Sequence, residues 1–336
     1  MARSIALSLL PALSLVVGCN VPNGTLPTTA SSTVSAAKLE PDVPSAPVRA
    51  MSAICSNPVG STRRDQVCHR WSCERDVSAP PWTGDAATCN AGSVDADGSA
   101  RAQAILDVHR FLADLPPVGI DLGWETAAQS CALVAHANAQ LSHHPPQSWS
   151  CWSELASQTS AVSLIANRAA PASVEAFFED PGNETTMVHR RWLLDGALAT
   201  IAIGSTNRYT CIVVDGRELG RVPSKAKAAA PARTWAAWPP AGPVPMGVFA
   251  VERLDTAGWT VQSSEDLGKA PEVTVTEGGT SLPVTTTTLL PYEGSRSAVR
   301  FVPKGWSTEA GHTYAVRVSG KTAPDIDFVV EPVACP

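Results

Sequence analysis

Two histidine motifs bracket one stretch of this chain. Leu141-Ser142-His143-His144-Pro145-Pro146 opens it and Val188-His189-Arg190-Arg191-Trp192-Leu193-Leu194 closes it, with about one small domain's width between them. Imidazole changes charge near neutral pH and is the commonest nitrogen ligand of divalent metals, so paired motifs of this kind mark a site. The same rings could instead hydrogen-bond across a packed cleft and hold the fold. Ser142 beside His143 is not a nucleophilic pair, because neighbours on an extended segment point to opposite sides. Of Arg190 and Arg191, one is expected at the surface and the other paired to an acid. Asn183-Glu184-Thr185 fits a glycosylation pattern, and Glu154 and Glu175 are expected in solvent.

Helices must carry these motifs. Ile105, Val108, Leu112 and Leu115 recur at spacings of three and four before Pro116-Pro117, which predicts an amphipathic helix from about Ser99. A second is expected from about Glu125 to Leu141, where small Ala128, Ala132, Ala135, Ala137 and Ala139 suggest close packing. His136 and Asn138 fall on it as surface or capping groups. His143-His144 lies just past its end, since a residue before proline leaves the helical region, and a helix C-terminus favours histidine there. Cys151 and Trp152 can pin a loop, and Val162 to Ala166 reads as one turn of helix. Ser173 looks like the N-cap of a helix through Ala176, Phe177 and Phe178, broken by Pro181-Gly182-Asn183. Two β-like runs follow, Ala199 to Gly204 and Tyr209 to Val214, closing a compact α/β unit over about residues 99–220.

The chain has 336 residues, enough for two ordinary domains. A net charge of -6 with no long basic run excludes a nucleic-acid partner. Residues 221–233 are rich in Ala, Lys and Pro, a linker composition. Trp235 to Pro245 then brings two tryptophans and four prolines, read as interdomain packing, with stacking on a sugar or peptide as the other use. Alternation takes over in Val273 and Val275, Val299 and Phe301, Tyr314, Val316 and Val318, and Phe328 with Val330. That predicts an all-β sandwich over 234–336, its last strand stapled by Cys335.

Met1-Ala2-Arg3 precedes an apolar run from Ile5 to Val17, too short for a stable membrane helix and read as an export signal over 1–18. Leu15-Val16-Val17-Gly18-Cys19 resembles the lipobox of bacterial lipoproteins, which implies lipidation of Cys19 and a membrane partner reached through that lipid. An ordinary signal peptide with a chance cysteine is the other reading. Residues 19–50 are poor in charge and lack aromatics, so they form a flexible tether, and 51–98 make a cysteine-rich, loop-rich segment. Cys55, Cys68, Cys73, Cys89, Cys131, Cys151, Cys211 and Cys335 are an even set in an exported chain, which argues for disulfides over zinc thiolates. Eight cysteines allow 105 pairings, and the sequence does not choose among them.

From about Ala102 to Val214 the order of motifs resembles the CAP superfamily of cysteine-rich secretory proteins, antigen 5 and pathogenesis-related proteins. What carries the resemblance is a helix ending in Leu141-Ser142-His143, a middle Ser163-Leu164-Ile165-Ala166, a helix Val174 to Phe178, then Val188-His189-Arg190-Arg191-Trp192-Leu193-Leu194 and Ile203-Gly204-Ser205. It implies an α/β fold, a CAP-type α-β-α sandwich, here followed by the all-β sandwich. It also implies a cleft with two histidines and two acids that in some members takes a divalent metal. By position the metal-binding histidines are His143 and His189, and zinc suits such a set. The chain departs from the family where Ser163 stands in place of the glutamate of Gly-Glu-Asn and Val188 in place of a glycine. The remaining acid is Glu179 or Asp180. The expectation is an exported, lipid-anchored binding module at the cell envelope, its ligand a lipid, peptide or glycan. The alternative is a metal-dependent hydrolase with zinc on His143 and His189 and an activated water.

Overall fold

The structure is a computed structural model that describes Cys55 and residues 59–215, 233–249, 253–292, 295–320 and 323–336. The export signal over 1–18, Cys19, the tether over 19–50 and all but Arg233 of the linker over 221–233 lie outside these residues. No helix among the described residues is long and apolar enough to cross a membrane.

Helix α1 (Arg63–Cys73) starts at a capping box in which Thr62 and Asp65 each bond the other's backbone N–H. Helix α2 (Ala96–Leu112) and helix α3 (Glu125–Asn138) fall where the apolar spacing puts them. Strand β1 (Gly119–Ile120) lies between them; α4 (Glu154–Ala161), β2 (Ser163–Ala166), α5 (Ala170–Glu179), α6 (Val188–Leu193), β3 (Thr200–Ser205) and β4 (Thr210–Val213) follow. The four strands form one sheet in the order β1-β3-β4-β2, with β1 parallel to β3 and the other pairs antiparallel.

Alternation along these strands loads both faces of the sheet. Ala202, Val213, Ile165 and Cys211 pack on one side against Ala128, Cys131 and Ala132 of α3. Leu164, Ile203 and Ile212 belong to the core shared with Val174 and Phe177 of α5 on the other. The result is an α-β-α sandwich. The small residues of α3 let it lie so close to β3 that a Cβ on Gly204 would meet Ala128 backbone atoms at 2.0 Å. The glycine of Ile203-Gly204-Ser205 therefore serves packing.

Two local expectations are corrected. Residues 163–166 pair with β4 as a strand rather than forming a helical turn; a short apolar run buried on both faces looks alike in either period. Ser173 is not an N-cap, because α5 begins at Ala170 with a proline in its first turn, and the Ser173 hydroxyl donates inward to Ala170 O at 2.7 Å.

From Trp235 on come β5 (Trp235–Trp238), β6 (Gly242–Pro245), a short α7 (Arg253–Ala257), β7 (Trp259–Ser263), β8 (Glu272–Glu277), β9 (Thr280–Leu282), β10 (Val284–Leu289), β11 (Ser297–Pro303), β12 (Tyr314–Ser319) and β13 (Ile326–Val333). They make two sheets, β10-β11-β7-β5 and β6-β13-β12-β8-β9. Strands β12 and β13 alternate buried and exposed residues, so the second sheet has one wet face. Strand β7 is buried along its whole length. Its Trp259 meets Tyr314 of the second sheet, while Thr260 and Gln262 bond residues of α6 and the turn after it.

The described residues form one compact unit. A single apolar core runs through Leu106, Phe177 and Ile203 on one side and Trp238, Val261 and Tyr314 on the other. Disulfides pair Cys55 with Cys73, Cys68 with Cys335, Cys89 with Cys151 and Cys131 with Cys211. Cys335 thus ties the end of the chain to α1, across 267 residues of sequence.

Candidate functional site

Helix α5 ends at Asp180, whose backbone turns left-handed at φ 54° and directs the chain toward α6. The Asp180 carboxylate is wholly buried and faces the start of α6, where it accepts from the backbone N–H of His189 at 3.1 Å and of Arg190 at 3.3 Å. It also accepts from His189 Nδ1 at 2.8 Å and Asn183 Nδ2 at 2.9 Å. One side chain therefore caps a helix and fixes an imidazole. Because a carboxylate accepts, His189 donates through Nδ1, and Nε2 lies outside this contact.

His143 sits past the end of α3, where its Nδ1 donates to Ser160 O of α4 at 2.8 Å. That carbonyl holds a proton on Nδ1 here too. Crowding by the surrounding protein pushes the His143 pKa down; the Ser160 carbonyl offsets part of this, and the fields of His189 and His144 push further down. The two rings thus sense one another, and each is held through Nδ1.

The other expected residues are elsewhere. Ser163 is buried, and its hydroxyl donates to Thr159 O at 2.7 Å within its own turn. Glu179 lines a small cavity with His109, Glu175 and Trp238 on the other side of α5. Of the two acids left open by the sequence, Asp180 is the one that bonds His189. Asn183 of the glycosylation pattern spends its amide on Asp180.

Among the described residues no group of three or more His, Cys, Asp and Glu could hold a metal ion. The donor set explains this: four N–H groups already fill the Asp180 carboxylate, and Ser163 supplies neither charge nor orientation. The residues present do not fit the metal centre that the resemblance implies.

Both arginines of the second motif are buried, contrary to the expectation of one at the surface. Arg190 donates to Phe178 O at 2.6 Å, to Glu179 O at 3.3 Å and to Gly258 O at 2.7 Å. Arg191 donates to Thr186 O at 3.0 Å, Leu290 O at 2.8 Å and Ser295 Oγ at 2.8 Å. Burial lowers both guanidinium pKa values to about 10, with Asp180 holding Arg190 up and Tyr292 and then Asp180 holding Arg191 up, so both stay charged at neutral pH.

A second titratable cluster escaped the sequence reading. Glu175 is not solvated: it takes Arg75 Nε at 2.8 Å and His109 Nε2 at 3.1 Å. Burial alone would raise its carboxyl, but His109 and Arg75 overcome that and hold it at about 2. His109 is 1% exposed, stacked on Phe178 at 4.1 Å with Trp71 and Trp238 edge-on. Its position four residues after Ile105, on the buried stripe of α2, was the available signal.

Residues 105–213 match the family model described as CAP, the cysteine-rich secretory protein family. The chain carries a CAP domain. No curated protein and no solved structure matches the chain. The CAP domain accounts for the α-β-α sandwich and for the order of its two histidine motifs. Together with four disulfides, it makes this an extracellular module of a binding type.

Proposed function

We propose that the protein is anchored at the cell envelope by a lipid on Cys19 and displays its CAP domain there as a binding module. The observation that carries binding over catalysis is the state of Asp180. Its four acceptor contacts go to protein N–H groups, so it has no capacity to share a metal or take a proton from a substrate. What is left for a ligand is two imidazole Nε2 atoms, with both rings fixed through Nδ1. Such a pair forms hydrogen bonds and suits recognition of a lipid headgroup, a peptide or a glycan. Support for the anchor comes from the apolar leader ending at Gly18-Cys19 and the tether behind it.

Expression of the full chain in a bacterial host fed a labelled fatty acid tests the anchor. The parent should carry label and sediment with membranes, and Cys19→Ser should be unlabelled and released. An unlabelled, released parent overturns the anchor. For the module, calorimetric titration with zinc separates the two chemistries. Binding of one equivalent, lost in His143→Ala/His189→Ala while the fold is kept, would overturn the reading in favour of a metal site.

A further inference from the structure

A cleft of about 350 Å³ opens where the CAP domain meets the C-terminal sheets. Leu115, Leu194 and Ala236 give it an apolar floor, and the partly exposed indole of Trp235, backed by Phe328 at 5.4 Å, gives it a wall. It is distinct from the histidine pair. Clefts of this size between packed units are where small ligands bind.

The polar side of the cleft is rich in acceptors. Ser263 Oγ and Ser264 Oγ both donate to Thr234 O, at 3.3 and 3.2 Å, so their protons point into the protein; Ser263 Oγ also accepts from Glu265 N–H at 3.0 Å, which leaves it one lone pair. Beneath them Gln262 Nε2 donates to Arg191 O at 3.1 Å and Leu194 O at 2.9 Å, which fixes the amide below the cleft surface. A ligand that satisfies such a surface brings several hydroxyl or N–H donors. At the mouth, one carboxylate serves two guanidiniums: Asp114 takes Arg63 at 2.9 Å and Arg233 at 3.2 Å. One acid neutralises one base at the mouth, while the Asp195 carboxylate in the lining accepts from Ala197 N–H at 2.8 Å and lies in the field of Arg110, so the mouth keeps an unmatched positive charge that favours an anion.

We propose that this cleft binds an acidic sugar. A uronic-acid pyranose matches all three features: an apolar ring face for Ala236, Leu194 and the exposed part of Trp235, whose ring Arg233 overlies at 5.0 Å, hydroxyls that donate to Ser263 and Ser264, and a carboxylate for Arg233. The proposal goes beyond the histidine-pair reading and does not depend on it.

The test titrates the full chain with a uronic-acid tetrasaccharide, a neutral glucose tetrasaccharide and tetraglutamate, following heat and tryptophan fluorescence. The acidic glycan should bind at least tenfold more tightly than either control. Arg233→Gln should reduce its affinity to that of the neutral glycan, and Ala197→Trp, at an exposed position on the rim, should abolish binding with near-ultraviolet dichroism kept. His143→Ala/His189→Ala should leave binding unchanged, which separates failure here from failure of the envelope-module reading. No binding of the acidic glycan, equal binding by Ala197→Trp, or tighter binding of tetraglutamate overturns the proposal.

Discussion

Acid should loosen the protein largely through one carboxyl. Glu175 on α5 is held by Arg75 from the cysteine-rich segment and by His109 from α2, so its charge joins three parts of the fold. Its carboxyl lies at about 2, against 4.5 for an unperturbed glutamate. A carboxyl depressed on folding contributes stability that is complete above its unfolded pKa and is lost as pH falls through the folded value. The window therefore runs from about pH 4.5 down to about 2. At 1.36 kcal/mol per pH unit, the gap is worth about 3 kcal/mol.

Glu175→Gln keeps the shape and one acceptor oxygen but removes the titration. Urea unfolding with disulfides intact, read by tryptophan fluorescence from pH 7 to pH 2, gives the comparison. Above pH 5 the parent should exceed the variant by about 3 kcal/mol, and the two should converge near pH 2. Other acids titrate in both proteins and drop out of the difference. Parallel curves would refute the assignment of this acid sensitivity to Glu175.

Three other perturbations bear on the joints of the structure. Arg190→Met strips donors from Phe178 O and Gly258 O and should cost about 3–5 kcal/mol in urea unfolding, whereas Arg317→Met, removing an exposed pair with Asp327, should cost under about 1 kcal/mol; equal losses would refute a joining role for Arg190. Replacing both Cys68 and Cys335 by serine frees a loop closed across 267 residues and should lower stability by about 3–5 kcal/mol, seen as an earlier thermal midpoint. Asp180→Asn leaves fewer acceptors for four donors, so long-range proton–nitrogen spectra should show His189 losing its fixed Nδ1–H tautomer while His143, held by Ser160 O, keeps its own; an unchanged His189 would contradict the orienting role.

Much of the fold was legible because its periods are clean. The stripe Ile105, Val108, Leu112 fixed α2, and the alternation through Tyr314, Val316 and Val318 fixed β12. The run at 163–166 was misread because full burial on both faces erases the difference between helical and strand periods. Of the site, His143 and His189 could be named from ordered motifs, since a helix end and a helix start position them. The choice between Glu179 and Asp180 could not be made, because it turns on one left-handed residue at the end of α5 that swings adjacent side chains to opposite sides. The burial of Glu175 was invisible for another reason: a buried ion pair needs its partner's position, and Arg75 lies 100 residues away in sequence.

The second histidine motif does two jobs, and their proximity limits how this CAP domain can behave. His189 is held by Asp180, while the next two residues reach into the C-terminal sheets, Arg190 to Gly258 O and Arg191 to Leu290 O and Ser295. Helix α6 is only six residues long, so a shift at the arginines cannot be absorbed before it reaches the imidazole. Removing the sheets would leave two buried guanidiniums without those partners, at a cost of several kcal/mol each. The site on the CAP domain is therefore built on the C-terminal sheets as much as on its own helices.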